Sequence, residues 1–157
     1  MRVGIGYDIH ALKKGRKLVL GGVRIPSAKG LHGHSDGDAL LHAIVDAALG
    51  AAGLGDIGDH FPDRGPRWRG VSSLVFVRQT ALKLRKKKLK VAQIDSVLVL
   101  ERPKLSRYKD AMRSSIARAF GVAVDRVNVK AKTNEGLGAV GKGRAVSASA
   151  VVLLEKT

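Results

Sequence analysis

His34-Ser35-Asp36-Gly37-Asp38-Ala39-Leu40-Leu41-His42-Ala43-Ile44-Val45-Asp46-Ala47-Ala48-Leu49-Gly50 is the stretch on which the reading of this chain turns. Ser35-Asp36-Gly37-Asp38 has the S-x-x-D form of a capping box, which predicts that the Ser35 hydroxyl caps an early amide of a helix. Behind it Leu41, Ile44, Val45 and Ala48 keep helical spacing until Gly50. Asp38, His42 and Asp46 follow one another at one-turn intervals, so three polar groups share one face of that helix.

Upstream, Val3 to Tyr7 reads as a strand, and Lys17-Leu18-Val19-Leu20 and Val23-Arg24-Ile25 flank a Gly21-Gly22 turn, a hairpin signal. Downstream, Gly53 to Gly70 reads as a long loop of the kind that carries function. Ser72 or Ser73 opens a second helix through Leu74, Val77, Ala81 and Leu84. Gln93 to Leu100 is strand-like, Leu105 to Phe120 reads as a third helix ended by Gly121, and Val127-Asn128-Val129 and Val146 to Leu154 are the last strands. The expected architecture is a single α+β domain over residues 1–157, a mixed β-sheet with helices packed on one face and a β-hairpin insertion.

All five histidines lie between His10 and His60, interleaved with Asp8, Asp36, Asp38, Asp46, Asp56, Asp59 and Asp63. There is no cysteine, so disulfides and thiolate metal sites are excluded, and carboxylate plus imidazole is the ligand set that remains. Asp8 and His10 are two apart at a strand end, so both side chains point one way. A helix beside that strand can bring His42 to them, giving three ligands and an open fourth position. A strand-end aspartate that caps a turn, beside two half-buried histidines, fits the same spacing. Asp56-Ile57-Gly58-Asp59 fits a loop carboxylate that accepts from a diol, and equally an ordinary Gly-Asp turn.

Gly136-Leu137-Gly138-Ala139-Val140-Gly141-Lys142-Gly143 matches G-x-G-x-x-G and the start of a P-loop. Gly143 stands where the P-loop needs Ser or Thr, and the run leads into a strand where both motifs open a helix. A backbone able to approach phosphate survives, with Thr133 and Glu135 ahead of it and Glu135 able to hold a hard cation. A glycine-rich turn between strands is the alternative.

The net charge of +16, from 29 basic and 13 acidic residues, favours anionic partners. Its densest run, Arg78 to Lys90, has no interleaved aromatics to stack on bases and reads as the solvated end of a surface helix, so nucleic acid is not the expected partner. No stretch approaches a membrane span and Met1 leads straight into a strand without a signal core, from which a cytoplasmic protein is expected.

Together, Gly6-Tyr7-Asp8-Ile9-His10, Leu20-Gly21-Gly22-Val23, His34 to Ala43, Asp56 to Asp63, Pro103-Lys104-Leu105, Val127 to Ala131 and Thr133 to Gly138 resemble the 2-C-methyl-D-erythritol 2,4-cyclodiphosphate synthase family, in that family's order and over nearly the whole chain. The resemblance implies a homotrimer with active sites between subunits. It implies a cyclase of non-mevalonate isoprenoid precursor biosynthesis, acting on 4-diphosphocytidyl-2-C-methyl-D-erythritol 2-phosphate. The 2-phosphate attacks the β-phosphorus, CMP leaves and the 2,4-cyclodiphosphate closes. Carried over by residue, Asp8, His10 and His42 would bind zinc, and Glu135 magnesium or manganese. His34 and Thr133 would stabilise the transition state, with Ser35 nearby. Ile9 would join Asp8 and His10 on the substrate, and Asp56, Ile57 and Gly58 would take the ribose. Phe61, Pro62, Asp63, Arg64 and Gly65 would contact the methylerythritol phosphate. Leu100, Pro103, Lys104, Leu105 and Ser106 would form the cytosine pocket, and Lys132, Asn134 and Lys142 would complete the substrate contacts. The chain departs from the family pattern at Gly65, Glu101-Arg102, Lys132, Ala139, Lys142 and Arg144. A zinc-dependent phosphohydrolase on the same ligands is the rival enzyme; it would release inorganic phosphate instead of CMP.

Overall fold

The computed structural model describes residues 1–63 and 66–157. A long strand β1 (Arg2–Lys14) precedes short strands β2 (Leu18–Leu20), β3 (Val23–Ile25) and β4 (Lys29–Leu31). Helix α1 (Ala39–Ala52), the one-turn helix α2 (Ile57–His60), helix α3 (Leu74–Lys86) and strand β5 (Leu89–Val99) follow. Helix α4 (Lys109–Phe120), strand β6 (Val127–Lys132), the one-turn helix α5 (Gly138–Gly141) and strand β7 (Ala145–Lys156) complete the order. Five strands form one sheet, β4-β1-β7-β5-β6, in which β5 and β6 run parallel and the other pairs antiparallel. The expected mixed sheet is therefore present, and β2 and β3 form the separate hairpin across Gly21-Gly22.

Strand alternation gives the sheet two unlike faces. On one, Ile94 and Leu98 of β5, Val127 and Val129 of β6, and Ala148, Ala150 and Val152 of β7 are buried. Helix α1 supplies Leu40, Leu41, Ile44, Val45 and Ala48 to that core, α3 supplies Phe76, Val77 and Leu84, and α4 supplies Met112, Ile116 and Phe120. Gly4 and Gly6 of β1 explain how α1 lies so close. A Cβ on Gly4 would sit 2.0 Å from the Ala47 carbonyl oxygen, and one on Gly6 2.0 Å from that of Ala43. Ala43, Ala47 and Ala51 recur every turn, so a stripe of small residues meets two glycines and helix backbone rests on strand backbone. The other face carries Val3, Ile5, Tyr7 and Ile9 of β1 and Val151 of β7, exposed by 68, 77, 59, 47 and 43%. No helix among the described residues is long and apolar enough to cross a membrane.

The start of α1 corrects the expected cap. The N-cap is Asp38, whose carboxylate accepts from Leu41 N at 3.1 Å and also from Gly21 N at 2.9 Å and Gly22 N at 2.7 Å. One carboxylate thus caps the helix and holds the hairpin turn, whose two glycines take φ of 59° and 73°. Burial and the neighbouring Asp36 push Asp38 up to about 6, even against those three donors. The Ser35 hydroxyl is left for other partners. Helix α1 also runs past Gly50 to Ala52 and ends at Gly53 in the left-handed region, φ 65°. The reciprocal capping box lies instead at Asp56 and Asp59, inside the expected loop, where each side chain accepts from the other's backbone N–H. The glycine-rich run likewise contains a helical turn, α5, and the expected third helix begins as a 3-10 turn over Ser106–Tyr108. Strand β4 carries no pattern that periodicity could detect in three residues.

Candidate metal centre and active site

Asp8 and His10 extend the helix-facing register of Gly4 and Gly6 on β1. His42 stands next to Ala43, the residue whose carbonyl packs on Gly6. The close approach of strand and helix therefore sets all three side chains at one point. Asp8 Oδ2 lies 2.9 Å from His10 Nε2 and 3.1 Å from His42 Nδ1, and the two imidazole nitrogens are 3.2 Å apart. Ligand bonds of about 2.0–2.1 Å in a tetrahedron place donors about 3.3 Å apart. The three atoms match such a triangle and form a metal-competent group. Burial opposes the charge on Asp8, yet the neighbouring imidazoles of His10 and His42 outweigh it and hold the carboxyl far below the usual carboxylate range. Burial also opposes a charge on His10, but Asp8 and the His32 carbonyl, 2.9 Å from His10 Nδ1, together raise its pKa. The expected Asp8–His10–His42 convergence is present in one chain.

These donors line the floor of a cleft of about 680 Å³. His34, Ile57, Gly58, Phe61, Pro62 and Asp63 line the same cleft, so much of the predicted substrate set surrounds the donors. One wall is aromatic: Phe61 stacks on Phe76 at 4.6 Å, and Trp68 meets both edge-on at 5.4 and 5.5 Å. Ser35 also lines the cleft but is buried, its hydroxyl 3.3 Å from His42 Nε2 and accepting from Gly37 N at 3.2 Å. Asp56 is exposed at the start of α2 with its carboxylate in the capping box. Ile9 points to the opposite sheet face, so only its backbone faces the donors' strand end. Arg64 and Gly65 lie outside the described residues.

The other predicted residues gather elsewhere. Leu100, Lys104, Leu105, Ser106, Lys132 and Thr133 line a pocket of about 210 Å³, and Pro103 and Lys142 line an adjoining depression with Lys104 and Thr133. Thr133 Oγ1 donates to Glu135 Oε1 at 2.7 Å, and Asn134 N donates to Glu101 Oε2 at 3.1 Å. Glu135 takes φ of 50°, a left-handed conformation that costs about 1–2 kcal/mol outside glycine and fixes how the loop presents its carboxylate. Register pairs His10 with Val146, Ser147 with Val99, and Val99 with Lys132. Both groups therefore stand at the same end of the sheet, three strands apart, or about 14 Å. No described residue lines both the donor cleft and the Leu100–Thr133 pocket.

Cation-competent donors beneath a half-apolar cleft, and a hydroxyl–carboxylate pair beside a lysine-bearing pocket, suit a ligand with phosphates and an organic body. Sequence reasoning missed Ser73 and Phe76 beside His42 and Trp68 on the aromatic wall of the cleft. Ser73 and Phe76 are separated from His42 by more than thirty positions, and nothing local to them signals the contact.

Comparison with known proteins supports this chemistry. The model of the YgbB family matches residues 1–155. The 2-C-methyl-D-erythritol 2,4-cyclodiphosphate synthase of Desulfosudis oleivorans is 54% identical over 98% of this chain and 92% of its own length. A solved structure of a synthase of that name in its CDP-bound form superposes with a TM-score of 0.90 at 46% identity, covering 98% of this chain and 100% of that one. The bifunctional IspDF of Campylobacter jejuni superposes with a TM-score of 0.95 at 38% identity over 99% of this chain, which spans 42% of that longer protein.

Proposed function

The chain belongs to the YgbB family, and from that premise we propose how its two groups of residues divide the work of one active site. The reaction is that of the 2-C-methyl-D-erythritol 2,4-cyclodiphosphate synthases, the cyclisation step of isoprenoid precursor biosynthesis, on a cytidine-nucleotide substrate. The phosphate on the 2-oxygen attacks the β-phosphorus, the bond from that phosphorus to the bridging oxygen breaks, and CMP departs with the electron pair.

Asp8, His10 and His42 would hold a zinc ion, and Glu135 a magnesium or manganese ion. Bound there, the two ions would neutralise phosphate oxygens, which removes the main obstacle to attack of one anion on another. The observation that carries this reading is the 2.9, 3.1 and 3.2 Å triangle of donor atoms at the cleft floor. His34 and Thr133 are suited to donate hydrogen bonds to the phosphoryl oxygens as charge shifts toward the leaving group. Phe61 and Pro62 offer the methylerythritol carbon skeleton an apolar wall, and Ile57 and Gly58 a backbone for the ribose. Leu100, Lys104, Leu105 and Ser106 suit the cytosine end, while the basic surface draws in a polyanion.

The two groups stand on strands three apart in the sheet, about 14 Å by strand spacing, and the bare face of Val3, Ile5, Tyr7, Ile9 and Val151 is an apolar patch of the kind buried between subunits. A homotrimer closed through that face, with the donor cleft of one copy completed by the Thr133–Glu135 loop of the next, fits both facts. The test is incubation with the cytidyl substrate with and without chelator. CMP and the cyclic diphosphate should form with metal and vanish with chelation. Inorganic phosphate as the product would replace the cyclase by a phosphohydrolase.

A further inference from the structure

Ser73 occupies the N-cap position of α3, yet its side chain makes no cap hydrogen bond. Its hydroxyl is fully buried and turned toward the donor cluster, with Oγ 2.9 Å from His42 Nε2 and 2.5 Å from Asp36 Oδ1. Asp36 grips the same residue twice, because its Oδ2 also accepts from Ser73 N at 3.1 Å. A serine hydroxyl carries one hydrogen. Given to the carboxylate, it leaves Ser73 Oγ only a lone pair to offer His42, which Nε2 meets by carrying the ring hydrogen and turning a bare Nδ1 inward. The competing tautomer, with Nε2 accepting from Ser35 and Nδ1 donating to Asp8, forgoes the shorter Ser73 contact. Nδ1 is the atom that faces Asp8 Oδ2 and His10 Nε2. His10 is ordered in the complementary way when its ring is neutral, since its Nδ1 donates to the His32 carbonyl and leaves Nε2 bare.

We propose that Asp36 and Ser73 form a relay that fixes the hydrogen of His42 on Nε2 and aims Nδ1 at the metal position. Both are positioning residues, neither touching substrate nor metal. Ser35, 3.3 Å from His42 Nε2 and 3.4 Å from Ser73 Oγ, packs beside the relay without replacing it, because among the described residues its hydroxyl meets His42, Ser73 and the Gly37 N–H and not Asp36. The inference rests on the reading of Asp8, His10 and His42 as metal ligands.

The test uses the assembled protein and zinc itself. Competition with a chromogenic chelator should show Ser73→Ala weakening zinc by about 10- to 100-fold, the range typical of lost partners behind a metal-bound histidine. Asp36→Asn, whose amide nitrogen opposes a donor, should act in the same direction. Nitrogen-15 spectra of the imidazoles at pH 8, recorded on zinc-free wild-type protein, should show the His42 hydrogen on Nε2, and Ser73→Ala should show both tautomers. A wild-type His42 carrying its hydrogen on Nδ1 overturns the relay, as does unaltered zinc affinity in a folded Ser73→Ala. Wild-type protein that takes up no zinc, with His42 protonated on Nε2, sinks the metal reading and leaves the relay standing.

Discussion

The two faces of β1 are built from alternate residues of one short run and serve opposite ends. Gly4, Gly6, Asp8 and His10 look toward α1; Val3, Ile5, Tyr7 and Ile9 look away from it. The first set is covered: two glycines admit the helix backbone, and the two side chains beyond them meet His42. The second set is apolar and uncovered in a single chain. Period-two alternation thus lets eight residues specify both two donors of the metal-competent group and the apolar surface proposed for the meeting of copies. A register slip of one residue would exchange the two faces, so the donor triangle and the proposed meeting of copies depend on the same strand pairing.

The comparison can be broken most severely on the covered side. Gly6→Val puts side-chain carbon where the Ala43 carbonyl lies and should cost about 4 kcal/mol or more, which thermal unfolding and the yield of soluble protein would report. On the bare side Ile5→Lys should leave the chain folded and able to take up zinc. It should reduce the mass seen by light scattering to that of one chain and lower CMP release by about a hundredfold or more, the equivalent of about 2.7 kcal/mol. Asp38→Asn keeps the shape but not the three-fold acceptor at the start of α1, and denaturant unfolding should show a loss of about 1–3 kcal/mol.

The smallest effect is that of pH on zinc-free protein. Asp8 is held below its ordinary value of 3.8, so its contribution to stability is full above 3.8 and is lost as pH falls through the lower folded value. His10 is raised above 6.5, so its contribution is full below 6.5 and is lost as pH rises through the higher folded value. The pair therefore supports the fold most between pH 3.8 and 6.5, and thermal unfolding of chelator-treated protein should show that window flattened by His10→Ala.

Much of this was legible in the chain. The spacing of Leu41, Ile44, Val45 and Ala48 marks α1, Gly21-Gly22 marks the hairpin, and Asp8-x-His10 at a strand end announces two side chains on one side. The helix start is ambiguous in sequence because Ser35 and Asp38 are both good caps; the cap is Asp38 through its bonds to Gly21 and Gly22, partners supplied by the fold. Ser72 and Ser73 are likewise both good caps for α3, and only the approach of Asp36 and His42 gives the Ser73 hydroxyl another use. Gly4 and Gly6 look like weak strand residues until the alanine stripe of α1 lies on them. The apolar face of β1 is visible as alternation, but alternation alone does not say which set is covered.

Complementation between two disabled chains tests most directly whether one site is divided between neighbouring copies. His42→Ala and Glu135→Gln should each assemble and each release almost no CMP. Mixed in equal amounts and reassembled, they should regain about a quarter of the wild-type rate, because that share of neighbouring pairs joins an intact donor triangle to an intact Glu135. Mixed assemblies that form and stay inactive would contradict the account.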